Sequence, residues 1–437
     1  SADSSTADSS ADSSTADSSS ADSGDGAQAQ TEYTPALDTE TAQTITVLGE
    51  FDNFEALEAA GAAFREYYPN VEVVYEKLDD YNNNIRPRVA SDTNVGIFMI
   101  NGYNLLDRYA SESGETLLDF VANIEETSVD LSQVDEYALK SNYVDGILFG
   151  IPLWYRYRGI VINEDLLADA GLEAPQNLTE FEACCDTLIE KGYVPMHQTA
   201  KYLSNFYIGS VMKTVADMEE DAFTALVSGE DGSADALVPV FEKIFEHKEK
   251  GYITDEIMEA CGDGYNDAIL EFFEGDAPFL VVSSSTVSGM QKRETKSEAF
   301  QASPFSYSFL FAPNAEDGMD IYVSGDTGFA LNKNCTYYDM AEEFYRFIYT
   351  EEILNQFAEI KRCPSVAAHV TGDLYQGLSD IDAGSLVTDA DINDPTGVIQ
   401  DVWEDVAIEI LTGDLADAEA AARRFEARTV EVTQEEG

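Results

Sequence analysis

From Thr44 onward the chain alternates between short apolar runs and longer amphipathic stretches, and the apolar period switches between two and about 3.6 residues. Thr44–Leu48 (TITVL) predicts a strand. Phe54, Leu57, Gly61, Phe64 and Tyr68 fall at helical spacing and predict a helix over Phe54–Tyr68, broken by Pro69 and Asn70. Val71–Lys77 (VEVVYEK) alternates as a second strand, a helix is expected near Asn83–Ser91, and Val95–Ile100 (VGIFMI) reads as a continuous apolar strand. Strands alternating with helices predict βαβ units and a parallel sheet with right-handed crossovers. Ligands of such sheets sit beyond the carboxyl ends of the strands. Here those ends are Glu50, Phe51, Asp52 and Asn53, and Asn101 to Asn104 with Tyr103 among them.

The pattern changes at Gly150–Asn163 (GIPLWYRYRGIVIN), where aromatics and cations crowd into one stretch before an apolar strand. A helix is expected from Glu164 to Ala170, stopped by Gly171, and another after Pro175, capped by Thr179 with Glu182 at its third position. Helical periodicity dominates to Glu274. Pro278–Ser283, Ser306–Phe311 and Gly328–Leu331 read as strands; Tyr338–Tyr349, Val398–Leu411 and Asp414–Arg428 read as helices.

Before Thr44 the pattern has no apolar period at all. SADSSTADS occurs at Ser1–Ser9 and again at Ser10–Ser18, with no apolar side chain larger than alanine. Such a segment buries too little to offset the entropy of ordering it and is expected to be a solvated tether over residues 1–43. A polar leader ahead of a globular body suggests a secreted chain hanging from a surface.

The remaining residues exceed what one core usually serves, so at least two lobes are expected. No run approaches the ~18 apolar residues of a spanning helix. A net charge of −60 repels phosphate backbones and anionic headgroups, which argues against nucleic acid and against electrostatic adhesion to membranes. Five cysteines are too few for a disulfide scaffold and match no zinc spacing; Cys335 and Cys363 are left as a possible pair. His197, His247 and His369 lie far apart in sequence, and His247, in a charged helix, is expected to face solvent.

No nucleotide-loop, nucleophile-elbow, zinc-protease or EF-hand motif is present. With 84 acidic residues, paired carboxylates of the glycosidase kind arise by chance and carry no weight. The chain does place aromatics beside amides and charged groups at strand ends: Phe51, Asp52 and Asn53; Asn101 and Tyr103; Trp154, Tyr155, Arg156, Tyr157 and Arg158; His197; Tyr202. A sugar presents an apolar C–H face and a rim of hydroxyls, which such a mixture suits.

Gly150–Thr179 resembles bacterial family 1 extracellular solute-binding proteins. The G-x-P strand entry, Ile162-Asn163-Glu164-Asp165-Leu166-Leu167, Ala170-Gly171-Leu172, Pro175 and Leu178-Thr179-Glu180 follow the family's order. Phe273–Pro278, Ser324–Asn334, Ala341–Phe347 with Thr350-Glu351-Glu352, and Gly413–Phe425 continue it. The resemblance implies an α/β, two-lobe periplasmic-binding-protein-like fold with hinge strands and an interlobe cleft. Lobe 1 is expected at 44–155 plus 310–365, and lobe 2 at 156–309 plus 366–437.

It further implies capture of a sugar or oligosaccharide without catalysis or cofactor, delivery to the permease subunits of an ABC importer, and a monomer. The site would be extracellular, at the cell surface, with lipid anchoring to the cytoplasmic membrane through a cysteine preceding this chain. The implied contacts fall on Arg156, on Glu50–Asn53 and near Asn101 and Tyr103; Ser284 and Asp326 complete the candidate set. The alternatives are a secreted carbohydrate-active enzyme and a binding protein for a non-sugar solute. Trp403 is read as core, and Ser284-Ser285-Thr286 stand where relatives carry an aromatic.

Overall fold

β1 (Gln43–Gly49), β2 (Val71–Lys77) and β3 (Val95–Ile100) pair in parallel with β1 in the middle, as their alternation predicts. The structure, a computed structural model, describes residues 33–100, 114–140, 142–144, 146–262, 264–370, 386–392, 394 and 397–435. Every residue of β3 is buried, which is why that strand reads as an unbroken apolar run: both its faces are covered. Helix Glu55–Tyr67 covers the sheet with Leu57, Ala60 and Phe64, and helix Tyr81–Ser91 makes the second crossover.

The chain then returns through β4 (Ile151–Pro152) and passes directly into β5 (Tyr155–Asn163). β6 (Met196–His197), β7 (Phe279–Ser283), β8 (Tyr307–Phe311), β9 (Ile321–Gly325), β10 (Gly328–Leu331) and β11 (Leu386–Thr388) follow. Two larger sheets result. The first has the order β2-β1-β3-β10-β4; the second has the order β11-β9-β5-β7-β6, with β8 also paired to β5. Each sheet carries its own helices, so the fold is α/β with two lobes, all within Pro35–Gly437.

Local chemistry sets several boundaries. Helix Glu164–Ala170 begins where the Asn163 side chain accepts from the Leu166 N–H and ends at Gly171, which takes φ 76°. The next helix, Leu178–Glu190, starts earlier than Thr179 as expected from the sequence, because Asn177 is the cap. Asn177 accepts from the Glu180 N–H at 2.9 Å, and the Glu180 carboxylate accepts from the Gln176 N–H at 2.9 Å.

β8 and β9 differ from the expected division of the chain, which put 310–365 with the first lobe. Both hydrogen-bond to β5 in the second sheet, and the chain returns to the first sheet only at Asp326-Thr327. The cause is that β5 is long enough to pair with β9 at Tyr155–Tyr157 and with β8 at Gly159–Asn163 along one edge.

The second lobe has a large core. Trp403, 1% exposed, lies parallel to Phe241 at 6.1 Å between ring centroids. His247 is the opposite of the expected solvent-facing residue: it is fully buried, because Phe241, Ile244 and His247 form the inward stripe of helix Val238–Glu249. Tyr207 O–H meets His247 Nδ1 at 2.8 Å, and Nε2 faces Glu182 at 3.3 Å, a donor and an acceptor that suit a neutral ring. All five cysteines are buried free thiols, so Cys335 and Cys363 do not pair. No helix among the described residues is long and apolar enough to cross a membrane.

Candidate ligand-binding site at the hinge strands

Strand directions decide where a ligand could be held. In the first sheet β4 runs with β1, β2 and β3, and β10 runs against them. In the second, β6, β7, β9 and β11 share one direction and β5 opposes it. The β4–β5 connection therefore leaves a carboxyl edge of the first sheet and enters the second sheet at its own carboxyl edge. The β9–β10 connection makes the return between the same two edges, so both meet at Leu153-Trp154 and Asp326-Thr327. The connections are bonded to each other: the Asp326 N–H donates to the Trp154 carbonyl at 2.9 Å, and the Leu153 N–H to the Thr327 carbonyl at 2.7 Å. A third passage lies alongside, with Ser365 bridged to Trp154 and the Tyr155 N–H donating to the Pro364 carbonyl at 2.9 Å.

Arg156 and Asp326 clamp this junction. The guanidinium forks onto the carboxylate, with Nη2 at 2.7 Å and Nε at 3.2 Å from its two oxygens. Asp326 holds the Arg156 pKa above its ordinary value by direct charge attraction. The Arg156 side chain remains 41% exposed, so its outer edge can meet a ligand.

Arg158, two residues on, is buried. Its Nη1 donates to Ser324 Oγ at 2.8 Å, and its guanidinium carbon lies 4.5 Å from the centre of the Tyr322 ring. Burial pulls its pKa below the ordinary arginine value. Tyr322 donates to the Asp389 carboxylate, and burial raises the Asp389 pKa above the usual aspartate range. A cavity of about 170 Å³ opens against Arg156, Arg158, Tyr322, Asp326, Asp389 and Gln400. Asp394 closes one side by accepting from the Gly397 and Ile399 N–H groups at the start of helix Val398–Thr412.

The other sequence-derived candidates separate into groups. Phe51 and Trp154 share one cluster: Lys361 Nζ stands 4.9 Å from the Phe51 ring centre and 5.8 Å from that of Trp154, with Phe54 packed edge-on against both. Glu50 donates its N–H to Met99 Sδ at 3.4 Å, Asp52 pairs with Lys77 at 2.6 Å, and Asn53 donates to Glu55 at 3.4 Å. Tyr155 and Tyr157 are buried side by side, and Ser284 Oγ joins their backbones by donating to the Tyr155 carbonyl and accepting from the Tyr157 N–H. In this conformation these three support β5 and present no open face. His197 is buried, and its ring bonds to Glu271 and the Val194 carbonyl; Tyr202 stands edge-on to Tyr265 at 6.4 Å. Neither joins the Arg156–Asp326 clamp. Asn101 and Tyr103 lie outside the described residues.

Lys361, Tyr322, Asp389 and Gln400 were missed by sequence reasoning. Lys361-Arg362 is a pair of cations in a chain with only 24, which is a usable signal. Asp389 and Gln400 carried none, being ordinary acidic and polar residues in a chain full of them.

The model of the family described as bacterial extracellular solute-binding protein matches residues 49–353, and the chain belongs to that family. Among curated proteins none matches by sequence. Solved structures of the same fold include the ligand-free form of RafE from Streptococcus pneumoniae: 15% identity, TM-score 0.67, covering 90% of this chain and 99% of that one. A Bacillus subtilis binding protein in an open conformation is 17% identical with TM-score 0.67, over 91% of this chain and 99% of that one. A Bacillus licheniformis sugar transporter in complex with stachyose is 17% identical with TM-score 0.62, over 88% of this chain and 98% of that one.

Proposed function

We propose that this protein is the substrate-binding component of an ABC importer and holds a neutral sugar or oligosaccharide between its lobes. The observation that carries the reading is the junction itself. The carboxyl edges of two sheets meet there, an aromatic cluster lies on one side, and a forked arginine–carboxylate clamp with a polar cavity lies on the other. Sugar hydroxyls need acceptors, and Asp326 and Asp389 at the cavity supply them; both arginines already have partners, which favours a neutral ligand over an acidic one. Structurally similar proteins are known in complex with stachyose and with raffinose, which supports the same class.

A binding protein of this kind needs a hinge with two states, of which the ligand stabilises the closed one. The bonded crossings at Leu153-Trp154, Asp326-Thr327 and Pro364-Ser365 are the proposed hinge. Residues up to Leu153 with 328–363 would form one lobe, and 155–325 with 386–435 the other. The expected tether over residues 1–43 is cut back at its end, because the Ala36 and Leu37 N–H groups bond to Glu343 and Tyr68 of the body and β1 starts at Gln43; the acidic residues before Tyr33 would tether the body outside the cell to the cytoplasmic membrane, through a lipidated cysteine preceding them. The protein would act as a monomer on its permease and perform no covalent chemistry.

A thermal-shift screen against neutral oligosaccharides tests this directly, since a ligand bound only by the folded state raises its melting temperature. The expected outcome is a rise with at least one glycan, recovered uncleaved by chromatography. Arg156→Ala should then lower affinity for that glycan by about 2 kcal/mol in titration calorimetry, the worth of a charge-assisted hydrogen bond. Cleavage of the glycan, or no response across the panel, would overturn the reading.

A further inference from the structure

His197 has a hydrogen-bonding arrangement that a neutral imidazole cannot satisfy beside an ionised carboxylate. Its ring is 2% exposed, and both nitrogens face oxygen atoms: Nε2 lies 2.9 Å from the Val194 carbonyl, and Nδ1 lies 2.8 Å from Glu271 Oε2. A carbonyl only accepts, so Nε2 carries the proton. In a neutral ring Nδ1 then aims a lone pair at a carboxylate oxygen, which is repulsive. His247, with a hydroxyl donor on one nitrogen and a carboxylate on the other, shows the satisfied alternative in the same lobe.

A third donor completes the group around that carboxylate. Cys261 Sγ is fully buried and lies 3.9 Å from the same Glu271 oxygen. His197 Nδ1, Cys261 Sγ and a Glu271 oxygen all lie within 4.8 Å of one another, the one such group of three found among the described residues. From this geometry we propose that His197, Cys261 and Glu271 form a Zn(II) site.

The three side chains supply three of the four positions of a tetrahedral zinc ion and leave the fourth to a water. A metal-bound histidine fixes its tautomer by donating its other N–H to a carbonyl or carboxylate, and here His197 Nε2–H donates to the Val194 carbonyl. Nitrogen and sulfur donors select zinc over magnesium or calcium, which take oxygen. A thiolate and a carboxylate cancel the charge of Zn(II), so the buried complex is neutral and avoids the cost of an uncompensated ion. Binding releases two protons to solvent, the Cys261 thiol proton and the Nδ1 proton of a His197 imidazolium, and no other covalent change occurs. A large negative charge on the whole protein concentrates divalent cations around it.

The site is structural. Cys261 caps helix Asp255–Ala260, Glu271 lies on helix Tyr265–Phe272, and His197 ends β6, so one ion ties both helices to the edge strand of the second sheet. Tyr265 opens the second of these helices and stands against Tyr202, so the ion also fixes that aromatic pair.

Co(II) replaces zinc in such sites and absorbs visibly, with a charge-transfer band when a thiolate is bound, which makes it the first probe. Chelator-treated full-length protein without a histidine tag should bind one equivalent of Co(II) with that band, and Zn(II) should bleach it. Zn(II) should raise the melting temperature in the presence of excess Mg(II), which occupies the acidic surface. Cys261→Ser should lose the band and weaken Zn(II) binding at least about tenfold, the lower bound for disturbing a metal site, while Cys335→Ser keeps both.

Absence of the band in the wild-type protein, with no stabilisation by Zn(II) beyond that by Mg(II), would overturn the proposal in favour of an imidazolium–carboxylate pair. Zn(II) binding unchanged in Cys261→Ser would overturn it equally. Should Cys261→Ser fail to fold, the wild-type spectrum and the Cys335→Ser control still decide. None of these readings depends on whether a sugar binds.

Discussion

The two sheet edges that meet at Trp154 and Asp326 are built from opposite materials. On the first-lobe side Phe51, Phe54 and Trp154 surround the Lys361 ammonium, and contact is through ring faces and edges. On the second-lobe side Arg156, Arg158, Tyr322, Asp326 and Asp389 line a cavity, and contact is through directed hydrogen bonds. Ring faces tolerate displacement; a forked ion pair does not. A sugar has one surface of each kind, so the pairing of a forgiving edge with a demanding one suits the proposed ligand. Trp154 and Asp326 lie at the proposed hinge between the two edges, joined by a backbone hydrogen bond of 2.9 Å.

The contrast can be broken from the aromatic side first. Trp154 is 3% exposed and packed on every face, so Trp154→Ala should cost about 3–5 kcal/mol of unfolding free energy in urea titration, as for other buried large aromatics. Phe51→Ala should cost well under half of that while weakening sugar binding, because Phe51 is half-buried. Equal losses at both positions would mean that the aromatic edge is core alone. On the charged side Arg158→Met should destabilise by about 2 kcal/mol, since it strips Ser324 of its donor and leaves buried Asp389 with Arg156 alone of the two arginines that act on it.

Smaller effects sharpen the comparison. Arg156→Ala and Asp326→Ala should be non-additive by about 1 kcal/mol in a double-mutant cycle on stability, modest because the arginine is near solvent. Acidification probes the second-lobe interior, where burial holds the His247 pKa below the ordinary histidine value. Its neutral form is favoured in the folded state, so its contribution is complete above the unfolded pKa of about 6.5 and is lost as pH falls below it. The unfolding free energy should therefore fall between about pH 7 and 5, with His247→Gln flattening the slope over that window. Lys361→Ala should change stability by no more than about 1 kcal/mol, the range of an exposed cation–π contact.

Much of the fold was legible because its signals are local. The alternation in Val71–Lys77, the helical stripe from Phe54, and the Glu164 start and Gly171 stop of one short helix each lie within a few residues of sequence. Misreadings arose where a signal had a neighbour that served better. Asn177 caps the helix assigned to Thr179, and the charged surroundings of His247 concealed that it sits on the inward stripe with Phe241 and Ile244. β9 was not predicted at all, because Ile321-Tyr322-Val323 is too short a run to stand out and becomes a strand only by pairing with β5 and β11.

Along the site the division is the same. The sequence by itself determined the α/β alternation, the crowded aromatic–arginine stretch at Trp154–Arg158 and the family to which the order of motifs belongs, since these depend on period and adjacency. Only the tertiary structure decided that Asp326 clamps Arg156, that Asp389 lies at the cavity beside Arg158, and that His197 meets Cys261 and Glu271. Those partners come from distant segments whose side chains are unremarkable alone. Their meaning follows from distance, burial and charge, which exist only once strand direction and pairing have brought the segments together.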